Sequence, residues 1–219
     1  MPLMHKKELF IFHVHTNRSV DCLMSIKTVV KFCKKRGIRC VAICDHNYLM
    51  PADKRMAFEK EKDLRIIPAV EYSTNCGDII ALGLDEFIES RDCTTVINTI
   101  KEKGGIVVLP HPMRGHRLEQ IPMKEIDMVE VFNARCSESE NNGAVELAAR
   151  YGKVGIAGCD AHFPWELGLA LNEIQIDTEH DLSLESILNT IKIVHRKNGF
   201  PKVNSFLSQV IKSLRTKIR

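Results

Sequence analysis

The chain has 219 residues, long enough for one large buried core, and α/β barrels of that size commonly form a single domain. Its 27% charged and 44% hydrophobic fractions are those of an ordinary globular protein, and no apolar run reaches the ~18 residues that a membrane-spanning helix needs. The net charge of +3 hides an asymmetry: eight of the 31 basic residues follow Glu185 and no acid does, so residues 1–185 hold 23 bases against 28 acids.

Short apolar runs alternate with helical patterns. The expected strands are Leu9–Phe12, Cys40–Cys44, Arg65–Val70, Ile79–Leu84, Gly105–Leu109, Met128–Val131, Val154–Gly158 and Glu173–Ile176. They are rich in Val and Ile, bounded by Gly, Pro or charge, and too short for helices. Between them, Ser25 caps a helix that Gly37 ends, and Pro51–Lys62 forms a second. Cys93–Lys103 forms a third, capped near Thr94 or Thr95, and Ser137–Tyr151 a fourth, closed by Gly152. This alternation implies right-handed crossovers and a largely parallel sheet. The eight cysteines are scattered without a Cys-x-x-Cys pair, so they read as reduced, mostly buried thiols. No signal-peptide core precedes the first strand, which makes the cytoplasm the expected location.

Residues able to bind metal recur at the carboxyl ends of these strands: His13, His15, Asp21, His46, Glu71, His111, Asp160 and His162. In a barrel those ends share the face where catalytic residues gather. His13-x-His15 places two imidazoles on one side of an extended segment. Asp21, in the polar loop that follows, reads equally as a turn residue or as a further ligand. Asp45-His46 ends a very apolar strand, where a charge must be paired, hydrated or metal-bound; Asp45 suits the orienting of an imidazole. Glu71 has two oxygens with which to bridge two ions. Pro112 restricts the backbone of His111, Asp160-Ala-His162 offers two more ligands, and Gly158 lets backbone pack close to them. Imidazoles and carboxylates together suit Zn, Mn or Fe with a position open to water. Arg114, Arg117 and Arg18 are candidates for gripping phosphate, Arg114 foremost. His5, His180 and His195 read as ordinary exposed histidines, with His195 on a late helix.

Val203–Ile218 is an amphipathic helix, with Val203, Phe206, Leu207, Val210, Ile211, Leu214 and Ile218 in its apolar stripe. It is expected to dock on the barrel or on another subunit, burying Phe206 and Leu207. A nucleic-acid arm or a membrane-surface helix are the other readings of its bases.

Taken in order, His13-Val-His-Thr, Asp21, Asp45-His-Asn, Glu71, His111-Pro and Asp160-Ala-His162 resemble the polymerase and histidinol phosphatase (PHP) family of metal-dependent phosphoesterases, in its small stand-alone form. The resemblance spans roughly residues 9–176. It implies an α/β fold, a distorted seven-stranded (β/α) barrel over residues 1–176, followed by a basic helical extension, 177–219, packed on it. It implies two or three divalent ions, Zn, Mn or Fe. One would be held by His13, His15, Glu71 and Asp160, a second by Glu71 and His111, and a third by Asp21, His46 and His162. Many relatives place another histidine on the strand after the bridging glutamate; here Gly77-Asp-Ile-Ile-Ala-Leu-Gly83 has none, and Asp78 is either its replacement or a turn residue.

The expected activity is hydrolysis of phosphate esters, either phosphomonoesters or nucleotide phosphodiesters, by a metal-activated hydroxide. Asp160 or His162 would manage the proton, and Arg114 and Arg18 would bind a small phosphorylated substrate or nucleotide. The alternative is a nuclease or nucleic-acid-binding protein that uses the basic tail. A degenerate regulatory module would show lost ligands, whereas nearly the full set is present.

Overall fold

The computed structural model describes residues 6–62, 64–176 and 183–218; His5 and His180 lie outside them. The strands are β1 (Lys6–Val14), β2 (Cys40–Ile43), β3 (Arg65–Thr74), β4 (Gly77–Leu82), β5 (Ile106–Leu109), β6 (Met128–Asn133), β7 (Val154–Ala161), β8 (Ala170–Ile176) and β9 (Lys192–Arg196). The helices are α1 (Ile26–Arg36), α2 (Ala52–Lys62), α3 (Cys93–Glu102), α4 (Glu138–Tyr151), α5 (Leu184–Thr190) and α6 (Pro201–Ile218).

The first seven strands pair in sequence order, and β7 returns to β1, closing the barrel. The barrel is largely parallel, as expected, but mixed, because β4 runs antiparallel to both β3 and β5. A two-residue connection from Thr74 to Gly77 allows only a hairpin, since a parallel return needs a long crossover. The start of β4, with Asp78, therefore lies at the rim where β3 ends. β8 pairs antiparallel with the first half of β1, and β9 pairs antiparallel with β8. The segment after residue 183 is thus not wholly helical: His195, expected on a helix, lies on β9.

Side-chain alternation separates the core into layers. Phe10, Phe12, Ala42, Cys44, Ile67, Ala69, Ile80, Val108 and Met128 form one buried cluster inside the barrel. Their strand neighbours pack outward against α1 (Val29, Val30, Cys33) or α3 (Val96, Ile97, Ile100). The helix ends follow the sequence signals. The Ser25 side chain accepts from the Thr28 amide, Gly37 takes φ +65°, and Ser137 and Glu140 form a reciprocal capping box. In α3 the cap is Asp92 instead of a threonine; its carboxylate accepts from the Thr95 amide.

The terminal helix α6 forms over the expected residues but docks by a face rotated from the centre of its apolar stripe. Asn204 and Ser208 are buried, whereas Phe206, expected to be buried, is 64% exposed and Val203, Val210 and Leu214 also face outward. Of the stripe, Leu207 and Ile211 are half-buried beside Asn204 and Ser208. Polar groups share the contact, because the barrel offers Asn204 and Ser208 hydrogen-bond partners. All eight cysteines are unpaired and buried, and burial pushes the thiols of Cys22, Cys33, Cys40, Cys44 and Cys136 up to about 12. Such thiols stay protonated and are poor nucleophiles.

Candidate metal centre

His13, His15, His46, Glu71, His111, Asp160 and His162 converge at one end of the barrel, each within 4 Å of a neighbour's donor atom. Glu71 is the hub. Its Oε2 lies 3.3 Å from His13 Nε2, 3.3 Å from His15 Nε2 and 3.0 Å from His46 Nδ1, and its Oε1 lies 3.0 Å from His111 Nε2. Asp160 Oδ1 stands 3.8 Å from His13 Nε2 and 3.5 Å from His15 Nε2. Asp21 Oδ2 faces His46 Nε2 at 3.4 Å and His162 Nε2 at 3.2 Å. Asp78, which the hairpin brings to this rim, joins Glu71 and His111 in a group whose donor atoms lie within 4.8 Å of one another.

Local backbone makes this convergence. Phe10 and Phe12 point into the barrel, so strict alternation would send Val14 inward and His13 outward. The register of β1 shifts between Ile11 and Val14, and His13 adopts φ +62°. Val14 then joins the outer layer, and His13 and His15 turn inward. His111 is also out of phase with the inward-facing Ile106 and Val108, and it too takes a positive φ, +26°. That is not the extended conformation a following proline favours; the His111 amide is held instead by Glu130 Oε2 at 2.8 Å. Asp160 has φ +48°. Non-glycine residues in this region are strained, and such strain concentrates at functional sites. Glu71 needs no such device: it lies within β3, not after it, in phase with Ile67 and Ala69.

A second layer fixes the imidazoles. His13 Nδ1 donates to Glu130 Oε1 at 2.8 Å, which turns Nε2 toward Glu71 and Asp160. Ser19 Oγ donates to Asp45 Oδ1 (2.7 Å), which makes Ser19 the acceptor for His15 Nδ1 at 3.1 Å. Asp45 therefore orients an imidazole through Ser19 rather than directly. His162 Nδ1 sits 3.0 Å from the Asp160 carbonyl oxygen. Glu130, Asn133, Arg135 and Glu166 are essential to this layer and were not singled out from the sequence. Glu130 had a legible signal: a carboxylate two residues after Met128, in phase with the barrel interior, must be paired. Glu166, by contrast, sits in a 3-10 turn with no periodicity to betray it.

Burial and charge act together on the cluster. Burial lowers the pKa of His15, and nearby His162 and His46 add to the effect, bringing it to about 3. Its lone pair is thus free at neutral pH. Burial opposes charge on His13, yet Glu130, Glu71 and Asp160 raise its pKa well above the usual imidazole value. His46 is raised in the same way by Glu71 and Asp21. Burial would likewise oppose charge on Glu71 and Asp160, but neighbouring histidines hold both carboxyls well below their usual range.

The donor set fits divalent cations. His13 Nε2, His15 Nε2, Asp21 Oδ1, Glu71 Oε2, His111 Nδ1 and His162 Nε2 are buried with no hydrogen-bond partner among the described residues. Buried polar atoms left this way cost stability unless something binds them. The cluster floors a cleft of about 370 Å³, also lined by Arg114, Gly115 and Arg135. Arg114 Nη1 stands 3.8 Å from Asp160 Oδ2, at the mouth. Arg18 is exposed and stacks over Tyr48, 5.4 Å from the ring centroid, apart from the cleft lining.

Comparison with known proteins bears on the fold. A family model described as PHP-associated matches residues 138–192. The uncharacterized protein MJ0417 of Methanocaldococcus jannaschii is 35% identical over 196 residues, covering 83% of this chain and 78% of that one. A two-domain protein from Bacteroides vulgatus containing a predicted PHP-like metal-dependent phosphoesterase superposes with TM-score 0.70 at 14% identity, over 88% of this chain and 66% of that chain. The lesion-specific endonuclease PfuEndoQ from Pyrococcus furiosus superposes with TM-score 0.60 at 13% identity, over 86% of this chain and 58% of that one. At such identities the two structures share a fold with this chain, and the chain spans about two thirds of the first and less of the second.

Proposed function

We propose that the chain is a member of the polymerase and histidinol phosphatase family and a metal-dependent hydrolase of phosphate esters, acting on phosphomonoesters or nucleotide phosphodiesters. The observation that carries this reading is Glu71, a buried carboxylate with four imidazoles around its two oxygens. No ordinary fold-stabilising role calls for that arrangement.

His13, His15, Glu71 and Asp160 would hold one divalent ion, Glu71, His111 and Asp78 a second, and Asp21, His46 and His162 a third. Such ions, Zn, Mn or Fe by the donor chemistry, supply an acidified water and offset the charge of the transferring phosphoryl group. The chain's own groups do the rest. Arg114 reaches over the mouth to grip phosphate oxygens, and its guanidinium stays charged beside Asp160. Asn133 Nδ2 holds Asp160 Oδ2 at 3.3 Å, which fixes the carboxylate that, with His162, handles the proton. The buried thiols of Cys22, Cys33, Cys40, Cys44 and Cys136, pushed up to about 12, speak against a thiol-enzyme route through them.

A second reading, nuclease action, draws support from the exposed Lys202, Lys212 and Lys217 on α6 and from the fold shared with an endonuclease. One experiment addresses both. The metal-stripped chain is reconstituted with Mn, Zn or Fe and offered phosphomonoesters, cyclic nucleotides and short oligonucleotides. Release of phosphate from the small esters supports the first reading. Oligonucleotide cleavage that weakens steeply with salt supports the second. No turnover with any metal, and none above a His13→Ala control, rejects both.

A further inference from the structure

Two arms of the chain carry Asp21 and His162 into the corner they share with His46, and α6 grips both. The first arm is the loop between β1 and α1. The Arg215 guanidinium donates to three of its carbonyls: Ser19 O and Cys22 O, each at 2.8 Å from Nη1, and Asn17 O at 3.0 Å from Nη2. Asp21 sits inside that span. The second arm is the turn after β7. Arg135 Nη2 donates to Ser208 Oγ on α6 at 2.8 Å, while its Nε pairs with Glu166 (2.9 Å) and its Nη1 lies 3.1 Å from His162 Nδ1. Glu166 in turn accepts from the His162 amide at 2.8 Å. The arms also touch each other, Cys22 Sγ donating to the His162 carbonyl at 3.1 Å.

Asn204, Ser208 and Arg215 share one face of α6, and Asn204 and Ser208 are buried. That face is largely polar, and of the apolar stripe only Leu207 and Ile211 are half-buried along it. A helix that only covered the barrel would bury Phe206 and Val210. This one spends its buried face on hydrogen bonds to the two segments that carry Asp21 and His162.

We propose that α6 is a working part of the metal centre, and that Arg215 is a positioning residue that sets Asp21 for the ion held with His46 and His162. The inference rests on the metal-bearing reading of the site. Without Arg215, the loop loses three hydrogen bonds, at the Asn17, Ser19 and Cys22 carbonyls, it loosens, and the ion in this corner binds weakly while the Glu71-centred ligands stay in place.

The test compares wild type, Arg215→Met, Arg215→Lys, Asp21→Asn and the Asp21→Asn/Arg215→Met double variant, each reconstituted with Mn or Zn. Metal per chain is read by plasma mass spectrometry after dialysis, and secondary structure by circular dichroism. Arg215→Met is expected to bind the weakest ion about 10-fold or more less tightly, the size of effect typical when an outer-layer partner is lost. Arg215→Lys restores part of that affinity. The double variant holds no fewer ions than Asp21→Asn alone, because both changes remove the same one. Should Arg215→Met fail to fold, Ser208→Ala carries the same expectation through Arg135. Wild-type ion number and affinity in Arg215→Met, or additive losses in the double variant, would overturn the role given to α6. A wild-type chain that takes up no ion at all would overturn the metal-bearing reading, and this inference with it.

Discussion

His13 Nδ1 donates to Glu130 Oε1 at 2.8 Å, and both side chains are completely buried. The contact exists because residue 158 has no side chain: a Cβ there would stand 1.6 Å from that same Glu130 oxygen. Gly158→Ala should therefore expel Glu130 and leave the cluster's charge uncompensated. Breaking a buried charged pair costs about 3–5 kcal/mol, or about 6–20 °C in melting temperature for a chain this size. A thermal melt within 2 °C of wild type (a shift worth about 1 kcal/mol or less) would refute the argument.

Glu130→Gln keeps the volume but weakens the acceptor that fixes the His13 tautomer. Metal affinity should fall about 10- to 100-fold, and the metal-free protein should melt lower as well, because a Gln amide would face His13 or the His111 amide and Asn133, where Glu130 accepts from all three. Titration with Mn or Zn, followed calorimetrically, measures it directly.

Asp78 stands with Glu71 and His111 because β4 is antiparallel. Asp78→Asn should lower the ion count by one per chain without disturbing the fold. An unchanged count would make Asp78 a rim residue only.

Metal removal and pH are coupled. In the metal-free chain, His13 and His46 have pKa values raised by Glu71 and its neighbouring carboxylates. Raised histidines contribute stability that is present below their unfolded value, ~6.5, and is lost as pH climbs through the folded value. Metal binding must displace those protons, so affinity should drop as pH falls, with proton release visible in calorimetry run in two buffers. Reloading at 100-fold above the dissociation constant should return about 2.7 kcal/mol per site. Affinity independent of pH would contradict the assignment of His13 and His46.

Arg114→Ala should leave metal content alone and reduce kcat/KM about 10- to 100-fold, the worth of one charged hydrogen bond to phosphate. Arg18→Ala, at the exposed Tyr48 stack, offers the comparison: an equal loss there would mean that Arg18 also reaches the substrate.

Much of this protein was readable along the chain. The apolar runs carried the barrel strands, Ser25, Gly37, Ser137 and Gly152 set helix ends, and the recurrence of His, Asp and Glu after those runs marked the site. Glu71, in phase with Ile67 and Ala69, even pointed the right way by alternation alone. What one dimension could not hold was the geometry set by partners far away in sequence. The inward turn of His13 and His111 depends on a register shift and on Glu130, 117 residues from His13. The place of Asp78 depends on which way β4 runs. The face on which α6 docks takes in only the Leu207 and Ile211 side of its hydrophobic stripe, because carbonyls on the 17–22 loop and the Arg135 guanidinium find hydrogen-bond partners there. Local chemistry chose the elements; the satisfaction of buried polar groups, a property of the packed whole, chose how they meet.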